Sequence, residues 1–97
     1  MNVLAFAEQR EGKFKKAAYE VTQTARNLAD TLGAGMVTLV VGHDVEKQVQ
    51  SLGGYGASRV LVVDDPRLQL YSTGAYARAV AEVANREGAG ILLFPAS

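Results

Sequence analysis

Chemically capable side chains are sparse in this sequence. It has no cysteine and one histidine, His43, which excludes disulfides, thiolate metal sites and thiol nucleophiles and leaves too few ligands for a histidine-based metal centre. Asp64-Asp65-Pro66 sets two carboxylates at the end of an apolar run, as magnesium and phosphoryl-transfer sites do. Such a site needs further carboxylates, or a threonine and a lysine, converging from neighbouring strand ends, and the first strand offers only Glu8. The same residues suit a turn in which an aspartate caps nearby amides and Pro66 presets the backbone. Lys13, Lys15 and Lys16 stand where a phosphate contact is conceivable, but Glu8 and Glu11 nearly cancel their field, and a solvated face accounts for them.

Gly33-Ala34-Gly35 and Gly54-Tyr55-Gly56 have the spacing of a dinucleotide fingerprint, which must follow a strand and open a helix so that phosphate meets free amides. Here both come after helical stretches, so they fit C-caps instead. No Gly-x-Ser-x-Gly elbow and no serine and histidine with an orienting acid is present. Catalytic and metal-binding residues are therefore expected to be absent, and the chain is not expected to be an enzyme. Tyr71 and Tyr76, about one helical turn apart, fit the covering of a helix start better than a site.

Four elements with a common character frame these residues. Val3–Ala7, Met36–Val41, Val60–Val63 and Ile91–Phe94 are almost continuously apolar and rich in branched side chains, as strands buried on both faces are. Between the first two, Phe14, Ala17, Ala18, Val21, Ala25, Leu28, Ala29 and Leu32 recur at helical spacing and Gly33 ends the stretch. A second helix is expected from an N-cap at Asp44, burying Val45, Val49 and Leu52 before Gly53, Gly54 and Gly56. A third begins near Ser72 or Thr73 and buries Ala77, Val80, Ala81 and Ala84 before Gly88 and Gly90. The resulting pattern, βαβαβαβ, predicts an α/β fold with a parallel twisted sheet flanked by helices. The expected strand order is 3-2-1-4, because right-handed crossovers put helices on both faces once the order reverses.

Ninety-seven residues fit one domain, 1–97. Hydrophobic residues make up 48%, and ten basic residues balance ten acidic ones, which excludes a disordered tail and a basic nucleic-acid footprint. No apolar run reaches the roughly 18 residues of a membrane span, and the first has neither a basic leader nor a cleavage site. The expectation is a cytoplasmic protein.

Several segments carry a family likeness. Val3-Leu4-Ala5-Phe6-Ala7-Glu8 and Gly12-Lys13-Phe14, then Ala25-Arg26-Asn27-Leu28, Val40-Val41-Gly42 and Gly56-Ala57-Ser58-Arg59-Val60-Leu61-Val62-Val63-Asp64, resemble the start of electron transfer flavoprotein alpha subunits. The entry from Tyr71 to Ala77 and the closing Leu93-Phe94-Pro95-Ala96-Ser97 extend the resemblance along the whole chain. It implies the amino-terminal domain of that subunit, with a Rossmann-like, adenine nucleotide alpha hydrolase-like fold that packs against the beta subunit. It also implies that FAD sits in a second domain, so that no cofactor is expected in this chain. The family continues into a further helix and strand, so the domain is expected to be truncated after its fourth strand.

The resemblance transfers no flavin-binding residue. The positions where a vestige of a nucleotide cleft would lie, at the carboxyl edge of the sheet, are Ala7, Glu8, Gly42 and Asp64. On this basis the chain is a scaffold that supports heterodimer assembly for electron transfer from dehydrogenases, and its partly bare fourth strand invites self-association. The alternative is a small adenine-nucleotide-binding module similar to universal stress proteins, using the edges of strands 1 and 4.

Overall fold

A computed structural model describes residues 1–69 and 72–95. Tyr71, Ala96 and Ser97 lie outside the described residues. In chain order the elements are β1 (Asn2–Phe6), β2 (Gln9–Arg10), β3 (Lys13–Phe14), α1 (Lys16–Leu32), β4 (Gly35–Gly42), a 3-10 segment (Glu46–Tyr55), β5 (Val60–Asp64), a 3-10 turn (Pro66–Leu68), α2 (Thr73–Arg86) and β6 (Ala89–Leu93).

The main sheet runs β5-β4-β1-β6, parallel throughout, which is the expected order of the four apolar runs. Alternation along a strand sends successive side chains to opposite faces. Leu4 and Phe6 of β1 therefore join Leu39 and Val41 of β4 under Tyr76, Val80, Val83 and Ala84 of α2. Val3 and Ala5 join Met36 beneath Val21, Ala25 and Ala29 of α1. Small residues on the buried stripe of α1 let the helix lie close on the sheet. Farther toward the β5 side, Ala18, Val40, Val45 and Leu52 pack α1 and the 3-10 segment together.

Several local expectations give way. Phe14 belongs to β3, not to the first helix: Glu11 (φ 53°) and Gly12 (φ 78°) form a two-residue turn that pairs Gln9 with Phe14 and Arg10 with Lys13. Two consecutive positive φ values match the right-handed twist of paired strands, so a hairpin forms where a loop was expected. Leu32 is exposed, one residue before the left-handed Gly33 (φ 65°) that caps α1. Asp44 is not an N-cap, because its own φ is 60° and its N–H is a donor to another residue. The element after it is a 3-10 segment, not an α-helix, in keeping with the poor helix propensity of Ser51, Gly53 and Gly54. On α2, Ala77 and Ala81 are exposed and Tyr76 and Val83 are buried in their place. Ser72 caps α2, its Oγ accepting from the Ala75 N–H at 3.4 Å.

Candidate functional site

Open parallel sheets bind ligands beyond the carboxyl ends of their strands. Here that edge is formed by the ends of β1, β4, β5 and β6, and the hairpin β2–β3 folds over part of it. Gln9, 6% exposed, is the residue that closes the space. Its amide nitrogen donates to the Val41 carbonyl at 3.0 Å and to Tyr76 Oη at 3.3 Å, and its oxygen accepts from the Gly12 N–H at 2.8 Å. Tyr76 Oη in turn donates to the Leu68 carbonyl at 3.1 Å. A buried amide whose donors and acceptor are all met binds the hairpin, β4 and α2 into one unit.

The cleft candidates separate around this plug. Ala7 is fully buried and donates its N–H to Leu39 O at 3.0 Å. A Cβ on Gly42 would collide with Gln9 Nε2 and come within 2.9 Å of Val45 Cγ1, so Gly42 makes room for the protein's own side chains. At the end of β5, Asp64 Oδ1 accepts from the Asp44 N–H at 2.9 Å and lies 3.3 Å from His43 Nδ1. Asp64 thus supplies the loop-holding carboxylate that Asp44 was expected to be. Asp65 caps the next turn and chelates Arg67 through Nε (3.0 Å) and Nη2 (2.7 Å). Both aspartates therefore serve turns.

These contacts set a pH response. The Asp44 N–H, aided by the Val45 N–H and His43, holds the Asp64 carboxyl below the ordinary aspartate value. Hydrogen bonds from Arg67 bring Asp65 down to about 2. A depressed folded-state pKa adds stability that is complete above the unfolded value, about 3.9, and is lost as pH falls through the folded one. Stability is expected to decline between about pH 4 and pH 2, and Asp65→Asn is expected to shrink that decline. Urea midpoints at both ends of the window check this; an undiminished decline in Asp65→Asn would count against it.

Glu8 lies on the other side of the plug. It stands at one end of an apolar groove of about 380 Å³ between α2 and β6, with Phe6, Ala77, Ala81, Leu92 and Phe94 among its walls. Leu92 and Phe94 are 37% and 56% exposed, so the α2 side of β6 is only partly covered. This is the crevice between strands 1 and 4 that a nucleotide module would use. Its walls carry the Glu8 carboxylate and the side chains of Thr73 and Tyr76 but no cationic side chain to meet a phosphate. Of the residues that organise this edge, Gln9 carries no sequence signal of its own and Tyr76 was read only as covering a helix start; each acquires its partners only through the fold.

Residues 3–97 match the electron transfer flavoprotein domain. The chain belongs to the electron transfer flavoprotein family. It is 40% identical over 96 residues to the acryloyl-CoA reductase electron transfer subunit beta of Anaerotignum propionicum, covering 99% of this chain and 26% of that protein. It is 38% identical to the electron transfer flavoprotein subunit alpha of Thermoanaerobacterium thermosaccharolyticum (99% and 29% covered) and 40% identical to the protein FixB of Clostridium saccharobutylicum (98% and 28%). The chain thus spans less than a third of the length of these relatives.

The residues present do not fit the flavin that the family name implies. Gln9 fills the space over Gly42, and the open crevice beside it is mainly apolar, bounded by Glu8 and lined by no cationic side chain. Among the described residues no cluster of three or more His, Cys, Asp or Glu could hold a metal ion, and no helix is long and apolar enough to cross a membrane.

Proposed function

We propose that the chain is the amino-terminal scaffold domain of an electron transfer flavoprotein alpha subunit, residues 1–97 forming one domain. As a member of that family it is an electron-carrier component and not an enzyme. It supports assembly with a beta subunit, and FAD, held elsewhere in the complex, takes electrons from dehydrogenases. The observation that carries this reading is the family match along residues 3–97, with 38% identity to an electron transfer flavoprotein alpha subunit; the partly open flank of β6 offers a surface for assembly. Leu92 and Phe94 expose apolar surface beside a groove whose α2 wall is small at Ala77 and Ala81. Among the described residues β6 is also a sheet edge, which offers backbone groups for pairing. An apolar surface beside an open strand edge marks a place where another part of an assembly, whether a partner or further chain of the same subunit, can dock. Alone, the chain self-associates through the same flank.

Sedimentation velocity of the chain mixed with a purified electron transfer flavoprotein beta subunit tests this. A joint boundary is expected, weakened roughly tenfold or more by Leu92→Asp or Phe94→Asp, since a central apolar anchor is worth about 2 kcal/mol. No joint boundary from a folded chain, or one indifferent to both substitutions, overturns the assignment.

A further inference from the structure

On the α1 side of the sheet, far from the apolar groove in chemistry, the hairpin, α1 and the 3-10 segment surround a second concavity of about 460 Å³. Lys13 of β3 and Lys47 of the 3-10 segment both line it. Neither lysine has an acidic partner among the described residues. Both are exposed side chains on different elements at one hollow, and an anion lying in it would attract both.

The rest of the lining is aromatic and polar. Tyr19 is the central ring, 5.8 Å edge-on from Phe14 and 4.5 Å from Tyr55 in a tilted stack. Ser51 Oγ donates to the Gln48 carbonyl at 2.8 Å, so the Tyr19 hydroxyl, 3.1 Å from Ser51 Oγ, is the donor of that pair. Gln48 Oε1 is buried without a hydrogen-bond partner. The volume lies in the range of small-molecule sites.

We propose that this concavity binds a small phosphorylated aromatic compound. Lys13 and Lys47 hold the phosphate, whose charge near neutral pH of about −1.5 to −2 matches two ammonium groups where a carboxylate would match one. Phe14 and Tyr19 face the ring. This site is independent of the β6 flank, and its failure leaves the assembly role untouched.

Titration of the full chain with phenyl phosphate, inorganic phosphate and benzyl alcohol, monitored by amide chemical shifts, tests the proposal. Phenyl phosphate is expected to shift residues around Lys13, Tyr19 and Lys47, with affinity falling roughly tenfold in Lys47→Ala or Lys13→Ala, the worth of one charged hydrogen bond. Tyr19→Leu, which keeps an apolar filler, is expected to weaken phenyl phosphate while leaving inorganic phosphate unchanged. Absence of shifts at millimolar ligand, shifts unaffected by either lysine variant, or inorganic phosphate binding as tightly as phenyl phosphate each overturns it. Circular dichroism of each variant confirms that the fold is retained.

Discussion

Leu4→Ala is expected to cost the fold about 3 to 4 kcal/mol, while Leu92→Ala costs about 1 kcal/mol or less. The two leucines are register partners on adjacent strands, Leu4 on β1 and Leu92 on β6, and the pleat turns both toward the α2 face. Leu4 is fully buried with Phe6, Leu39 and Val80, so truncation loses transfer energy and leaves a cavity that packed neighbours cannot fill. Leu92 is 37% exposed at the rim of the open groove, so its truncation removes atoms already partly in water. A chain of this length has only about 5 to 15 kcal/mol in total, so the first substitution takes a large share of it. Urea denaturation at a concentration where the chain is monomeric separates the two. Equal losses would mean that the α2 side of β6 is packed in solution, and the docking flank would have to be abandoned.

Gly42→Ala is expected to destabilise by about 2 kcal/mol, as overpacking of a filled interior does. The new methyl would occupy the place of Gln9 Nε2 and press on Val45 Cγ1. Gly42 does not have a positive φ, so the penalty is one of space and not of backbone conformation. Gln9→Ala alone is expected to cost about 1 to 3 kcal/mol by stranding the Val41 carbonyl, Tyr76 Oη and the Gly12 N–H. Together the two changes should cost less than their sum, because the alanine at 42 enters room that Gln9 has vacated. Strict additivity in a double-mutant cycle would show that Gly42 and Gln9 do not compete for one space.

The four strands of the main sheet were legible from four runs of branched apolar residues, and so was their order, since parallel pairing and right-handed crossovers leave little choice; the hairpin strands β2 and β3 were not. Gly33 and Gly56 were legible as helix stops, and both have positive φ in the structure. The second helix was not, because Val45, Val49 and Leu52 fit a 3-10 segment as well as an α-helix over so short a span. Ala77 and Ala81 were placed in the core by a helical stripe that is wide enough to admit two rotations, and the contacts of Tyr76 and Val83 chose the other one. The acidic pair at Asp64 and Asp65 was legible as turn chemistry, but which amides each would hold was not.

Local hydrophobic periodicity and composition, which depend only on neighbours along the chain, were enough to specify a parallel α/β sheet without thiols. The filling of the carboxyl edge was decided in three dimensions, where Gln9, Val41, Tyr76 and Leu68 meet from distant parts of the chain. The same holds for Lys13 and Lys47, which share a hollow only because the hairpin folds over the 3-10 segment. Hydrogen-bond satisfaction and charge proximity act through space, so no one-dimensional pattern carries them.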